Sequence, residues 1–364
     1  MSGQMPLPNP PVRFAPAMEV PAGNEAEINR ALIDTMGKIS QTTLEHSGHA
    51  TRSVHAKSHG VLRGEFTVLD ALPPALAQGL FASPGRYDAI LRFSTIPGDI
   101  LDDSVSTPRG LAVKLVGVPG ARLTGSEADS TQDFIMVNGP AFTAPTPEKF
   151  LGSLKTLAAT TDHAEGLKKV VSAVARGAEA VIEAFGGKSA TITTMGGQKQ
   201  THILGETFYS QVPILYGDHI AKVSLVPVGD LATLTGAPIH TADDPNALRT
   251  AVSQHYATSG GEWEFRVQLC TDLETMPIED ASVVWPEDQS PYVTVATLRT
   301  AAQESWSPEA VAAYDEGLSF SPWHGLAAHR PLGGVMRARN STYVSSAEFR
   351  SRHNGCPIHE PKSL

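Results

Sequence analysis

The sequence predicts an α+β fold built on one antiparallel barrel or sandwich, with helices inserted into it. Three observations predict it. Runs that alternate apolar and polar residues recur along the 364 residues, the period-2 mark of half-buried strands. The 32 glycines and 27 prolines demand many turns, which suits strands and long loops better than a helical bundle. The helical stretches are few and do not alternate regularly with the strands, so a parallel βαβ sheet is not expected.

The elements follow in order. Residues 1–24 hold six prolines and little periodicity, and read as an arm that lies on other surfaces or joins subunits. Residues 25–47 place Ile28, Leu32, Ile33 and Met36 at helical spacing, with Asn24 as the cap. The second half of 51–70 alternates as a strand, and 87–96, 108–118 and 133–143 make three more. The loop carrying Asp99, Asp102 and Asp103 reads as solvated, and the fourth strand breaks at Gly139-Pro140. Thr146 caps and Pro147 opens a helical stretch to about 186, split near 160–162 and ended by Gly186-Gly187. Strands return over 201–228. A short helix runs from Asp243-Asp244-Pro245 to about Tyr256, and strands follow at 262–269 and 292–300. After Gly333-Gly334 the chain turns helical to Arg350, with Ser345 and Ser346 weakening the far end. The arm and first helix, 1–50, stand apart from a main domain, 51–364.

Composition excludes several classes. A net charge of −10 without any basic run argues against nucleic acid. Cys270 and Cys356 are too few for a disulfide scaffold, which favours a reduced, cytoplasmic setting. No basic, apolar leader opens the chain, and no apolar run is long enough to span a bilayer. P-loop, dinucleotide and G-x-S-x-G motifs are missing. His59, His202, His219, His324 and His329 lack metal-ligand spacing, so zinc is not expected. Cys270 falls on the polar face of its strand and reads as an inert thiol.

The residues that suggest chemistry are scattered. Arg339 and Tyr343 lie four apart on the last helix, within reach of each other. A guanidinium beside a phenol favours the phenolate, a hard anionic ligand suited to ferric iron. Arg350 lies two turns on, on roughly the same face. His55, between Arg52 and Lys57, is a candidate acid/base. In Arg92-Phe-Ser-Thr, Arg92 is placed to bind an anion and Ser94 to orient an imidazole. Asn138, at a strand end, offers an amide to a bound oxygen species. Each also has an ordinary structural reading: a surface ion pair, a solvated histidine, strand polarity, or a turn.

Taken in order, R-S-V-H-A-K-S-H-G (52–60), R-F-S-T (92–95), P-R-G-L-A-V-K-L (108–115), D-F-I-M-V-N-G-P-A-F (133–142) and R-N-S-T-Y (339–343) resemble the haem-catalase family. The resemblance is stronger to its short, catalase-related haem peroxidases than to the full-length enzymes. It implies an eight-stranded antiparallel β-barrel of the catalase type holding haem b, with packed helices and without the C-terminal helical domain. It also implies residue roles. His55 would be the distal acid/base, Asn138 the distal amide, and Ser94 the partner of the histidine. Tyr343 would ligate iron, with Arg339 as its charge partner, while Arg52, Arg92 and Arg350 would bind the propionates. The implied activity is decomposition of hydrogen peroxide or organic hydroperoxides through a ferryl state, with a small electron donor if peroxidatic, in a homo-oligomer. Two alternatives stay open: rearrangement of a fatty-acid hydroperoxide, as in allene oxide synthases of this type, and a barrel that only carries haem or lipid. The family's doubled Asn is Val137-Asn138 here, and the stretch before Tyr343 departs from the full-length pattern.

Overall fold

A computed structural model of the chain describes residues 8–158, 198–355 and 357–364. Nine strands occur among them: β1 (Ser58–Val68), β2 (Gly85–Thr95), β3 (Arg109–Val116), β4 (Gln132–Val137), β5 (Phe208–Tyr209), β6 (Ile214–Tyr216), β7 (His219–Val228), β8 (Gly261–Leu269) and β9 (Val293–Thr300). Eight of them close an antiparallel ring in the order β1–β2–β3–β4–β5–β7–β8–β9, with β9 returning to β1. The two-residue β5 bridges β4 to β7, and β6 hangs on β7 outside the ring. Closure leaves the ring no free edge, which a twisted antiparallel sheet of this size would otherwise expose. The eight-stranded barrel expected from the sequence motifs is present.

Alternation along the strands separates two environments. Leu62, Phe66, Leu91, Phe93, Val113, Phe134 and Phe265 fill one apolar core. There Phe66, Phe81, Phe134 and Phe265 meet at ring separations of 4.7–6.2 Å. The intervening positions Val61, Ile90, Ala112 and Ile135 belong to a second cluster with Leu318 and Phe320. Along one line of register, Val61 pairs with Arg92, Arg92 with Ala112, and Ala112 with Ile135. Along the next, Ser94 pairs with Gly110. This second face carries the functional candidates.

The longer helices among the described residues are α1 (Glu25–Ser47), α2 (Pro147–Ala158), α3 (Ala247–Tyr256) and α4 (Gly334–Asn354). α1 packs on both α4 and α2. Asn24 occupies the N-cap position of α1 but makes no side-chain cap hydrogen bond. The Thr146 hydroxyl accepts from the Lys149 amide at the start of α2, as expected. The expected break near 160–162 and the end at Gly186-Gly187 lie outside the described residues. α4 does not weaken at Ser345-Ser346. It runs on to Asn354, and the Ser346 hydroxyl accepts from Ser53, which is itself bonded to Ser40 of α1. A serine whose side chain has a tertiary partner does not compete for its own helix backbone.

The N-terminus of α4 is tied down by acids. Gly333 has φ 83°, and a Cβ there would sit 2.3 Å from the Ile278 carbonyl, so glycine is required. The Gly333 and Gly334 amides donate to Glu19 and Glu279, which satisfies groups a helix start leaves unpaired. Arg337 binds Glu19, Glu25 and Glu279 together. The arm thus lies on this chain's own surface: Val12 and Phe14 donate to the Cys270 and Asp218 carbonyls. Two placements are corrected. Cys270 is fully buried and not on a polar face, and burial pushes its thiol up to about 12, in keeping with an inert thiol. Asp103 is not solvated, because it is buried against Lys57 at 2.7 Å.

Candidate active site

The loop before β1 presents His55 in a left-handed conformation, φ 56°, which a residue with a Cβ rarely adopts. Hydrogen bonds hold the strain in place. The His55 amide donates to Ile96 O at 2.7 Å, and Arg92 Nη2 donates to the carbonyls of His55 and Ala56 at 3.0 and 3.2 Å. The ring Nδ1 lies 3.0 Å from Ser94 Oγ, and Ser94 Oγ lies 3.5 Å from Gly110 O. A hydroxyl that donates to the carbonyl accepts from Nδ1–H, which leaves Nε2 as the bare nitrogen; this tautomer is inferred from the network. Gly110 makes the ring's place, since a Cβ there would lie 2.5 Å from the imidazole. Burial, then the charges of Arg92, Arg339 and Arg52, lower the His55 pKa to about 3. The imidazole is therefore neutral across ordinary pH.

α4 presents Tyr343. Arg339 Nη2 donates to its hydroxyl at 2.6 Å, and the guanidinium carbon sits 5.1 Å from the ring centroid. This is the pair expected from the i, i+4 spacing. A charge-assisted donor on a phenol oxygen is the arrangement that supports an anionic ligand.

Both side chains line one cavity. Arg52, Arg92, Ser94 and Arg350 line it too, with apolar walls from Val54, Leu111, Met136 and Phe320. The small residues Gly110 and Ala112 of β3 leave room along its floor. Met36 of α1 closes one side.

The three arginines converge on residues 315–318. Arg52 Nη1 donates to Asp315 Oδ1 at 2.9 Å, and Arg92 Nε donates to the same oxygen. Arg52 Nη2 also reaches Asp315 O and Leu318 O, while Arg350 donates to Glu316 O and Leu318 O at 3.1 and 3.2 Å. Burial would raise the Asp315 carboxyl, but Arg92 and Arg52 hold it below the usual carboxylate range. Asp315 is the next-to-last residue of a π-helical turn, Val311–Glu316. No motif in the sequence pointed to it.

Asn138 is placed otherwise. It follows β4, its Oδ1 accepts from the Arg109 amide at 2.9 Å, and its Nδ2 donates to Glu206 at 3.3 Å. It is not among the residues lining the cavity.

A second charged cluster lies apart. Lys114 Nζ donates to both oxygens of Asp133 and to Glu360, and His324 Nδ1 lies 3.1 Å from Glu360 Oε1 and 3.5 Å from Asp133 Oδ2. With an ammonium already among the carboxylates, this trio of acid, acid and imidazole reads as an ion network, not a metal site.

No protein-family model and no curated protein matches the chain. Solved structures do. A fungal catalase crystal structure superposes at TM-score 0.60 with 18% identity, covering 98% of this chain and 69% of that one. Catalase A from Saccharomyces cerevisiae gives TM-score 0.58 at 18% identity, covering 98% and 71%. The chain has the catalase fold. The catalase-type barrel accounts for the closed ring and for helices packed on its outside. Among the described residues, no helix of this catalase fold is long and apolar enough to cross a membrane.

The residues present fit haem b. The cavity joins a cationic pole of three guanidiniums, apolar walls, a phenol oxygen held by a cation, and a neutral imidazole. Those are the donors that a porphyrin with two carboxylates and a ferric ion needs.

Proposed function

We propose that the chain binds haem b in the cavity shared by His55 and Tyr343 and decomposes peroxides, either hydrogen peroxide or an organic hydroperoxide. The reading rests on one observation above others. A half-buried neutral imidazole and a guanidinium-held phenol face the same cavity, whose charged pole is Arg52, Arg92 and Arg350. Tyr343 would hold the iron, with Arg339 balancing the oxygen's charge. Arg52, Arg92 and Arg350 would take the propionates. Haem, when bound, supplies the redox chemistry that splits the peroxide O–O bond.

The chain's own residues manage the proton. His55 Nε2 takes it from one peroxide oxygen and returns it to the other, which then leaves as water or an alcohol. Ser94 fixes the tautomer that makes this possible. Asn138 acts by position: its carbonyl holds the start of β3, beside Gly110, and its amide is committed to Glu206.

Two variants test the reading. His55→Gln keeps hemin binding and its Soret band but loses peroxide turnover by about a thousandfold, within the usual range for removing a proton-transfer group. Tyr343→Phe weakens hemin binding and shifts the Soret band. Turnover unchanged in both variants would remove the proposal.

A further inference from the structure

We propose that Asp315 is the positioning carboxylate of this site: one oxygen locks Arg52 and Arg92 together and, through Arg92, holds His55 in its strained backbone. The bonds run in series. Asp315 Oδ1 accepts from Arg92 Nε, and the Nη2 of that same guanidinium donates to the carbonyls of His55 and Ala56 at 3.0 and 3.2 Å. A planar guanidinium transmits orientation from one end to the other, because its nitrogens cannot turn independently. His55 at φ 56° persists only if its surroundings over-determine it. Asp315 is buried beside Arg52 and Arg92, yet does not line the cavity. It therefore backs the arginines and does not compete for what enters.

The charges support this. Burial and the charges of Arg350 and Arg92 depress the Arg52 pKa, so three cations here repel. One carboxylate behind them leaves a net charge of about +2 facing the cavity, a match for a ligand bearing two carboxylates. The consequences for hemin rest on the haem reading above; the link from Asp315 to His55 does not.

Asp315→Asn, Arg92→Lys and the double variant test it in two ways. In ligand-free protein labelled with 15N-histidine, the His55 ring signal is identified as the one lost in His55→Gln. Both single variants displace that signal in the same direction, and the double variant adds nothing further, as expected of groups in one chain of bonds. With hemin, Asp315→Asn binds about tenfold more weakly or worse, although the added positive charge alone predicts tighter binding. Asp315→Glu keeps the charge, gives a smaller displacement, and serves if the Asn variant does not fold. A His55 signal unmoved in folded Asp315 variants overturns the proposal, as does additivity in the double variant or tighter hemin binding. Wild-type protein that takes up no hemin removes the haem reading, and the histidine signals then still decide the role of Asp315.

Discussion

His55 shows how much one side chain depends on its immediate neighbours. Its identity and its pairing with Ser94 were visible in the sequence, but its left-handed backbone and its neutrality were not. Two predictions belong here. Because burial and Arg92, Arg339 and Arg52 lower its pKa to about 3, the base form is complete well below the ordinary value of 6.5. Peroxide turnover per unit KM is then expected to stay level from pH 8 to pH 5. A fall centred near 6.5 would show that the imidazole titrates as if exposed. Gly110→Ala places a Cβ 2.5 Å from the ring and forces His55 aside. Hemin binding is retained while turnover drops by about a hundredfold, the usual scale for a misplacement near 1 Å. Equal turnover in the alanine variant would mean the ring relocates freely.

Between elements, charged clusters do the fastening. Glu19, Glu25 and Glu279 hold Arg337 and so set where α4 begins, at Gly334, ahead of Tyr343 on the same helix. The segment around Glu360 is fastened to β3 and β4 by Lys114, Asp133 and His324. Burial alone would depress His324, but the carboxylates of Asp133 and Glu360 beside it raise it to about 9. Burial likewise opposes ionisation of Glu360, but His324 and Lys114 bring it to about 2. A raised histidine pKa adds stability that is whole below 6.5 and lost as pH climbs through 9. A lowered carboxyl pKa adds stability that is whole above 4.5 and lost as pH falls through 2. The fastening is therefore strongest from about pH 4.5 to 6.5. Thermal unfolding of wild type should show its midpoint falling from pH 6.5 to 9, and His324→Asn should flatten that fall. An unchanged slope in the variant would assign the alkaline loss elsewhere.

The whole molecule is a closed ring with its site on the outside of one wall. Haem held by Tyr343 of α4 and facing His55 would add to the ties that already join the helices to the rest, such as Ser53 with Ser40 and Ser346 and Arg350 with Glu316 and Leu318. A ligand bound only by the folded form stabilises by about 2.7 kcal/mol at a hundredfold excess over its Kd. Hemin is therefore expected to raise the unfolding midpoint of wild type measurably in a calorimeter, and to raise that of Tyr343→Phe less. An identical rise in the two proteins would place hemin away from Tyr343.

The strands and the helices α1, α2, α3 and α4 were legible in the sequence because alternation and helical spacing are local properties, set by which face of each segment is buried. Arg339 and Tyr343 were legible as a pair for the same reason: four residues on a helix are neighbours in any fold. Ring closure through the two-residue β5 was not, nor were the burial of Asp103, the unbroken course of α4 past Ser346, or the commitment of Asn138 to Arg109 and Glu206. Least visible was Asp315, in a short segment without periodicity, 223 residues from Arg92. These features depend on contacts between distant segments, and only the closed barrel brings such segments together.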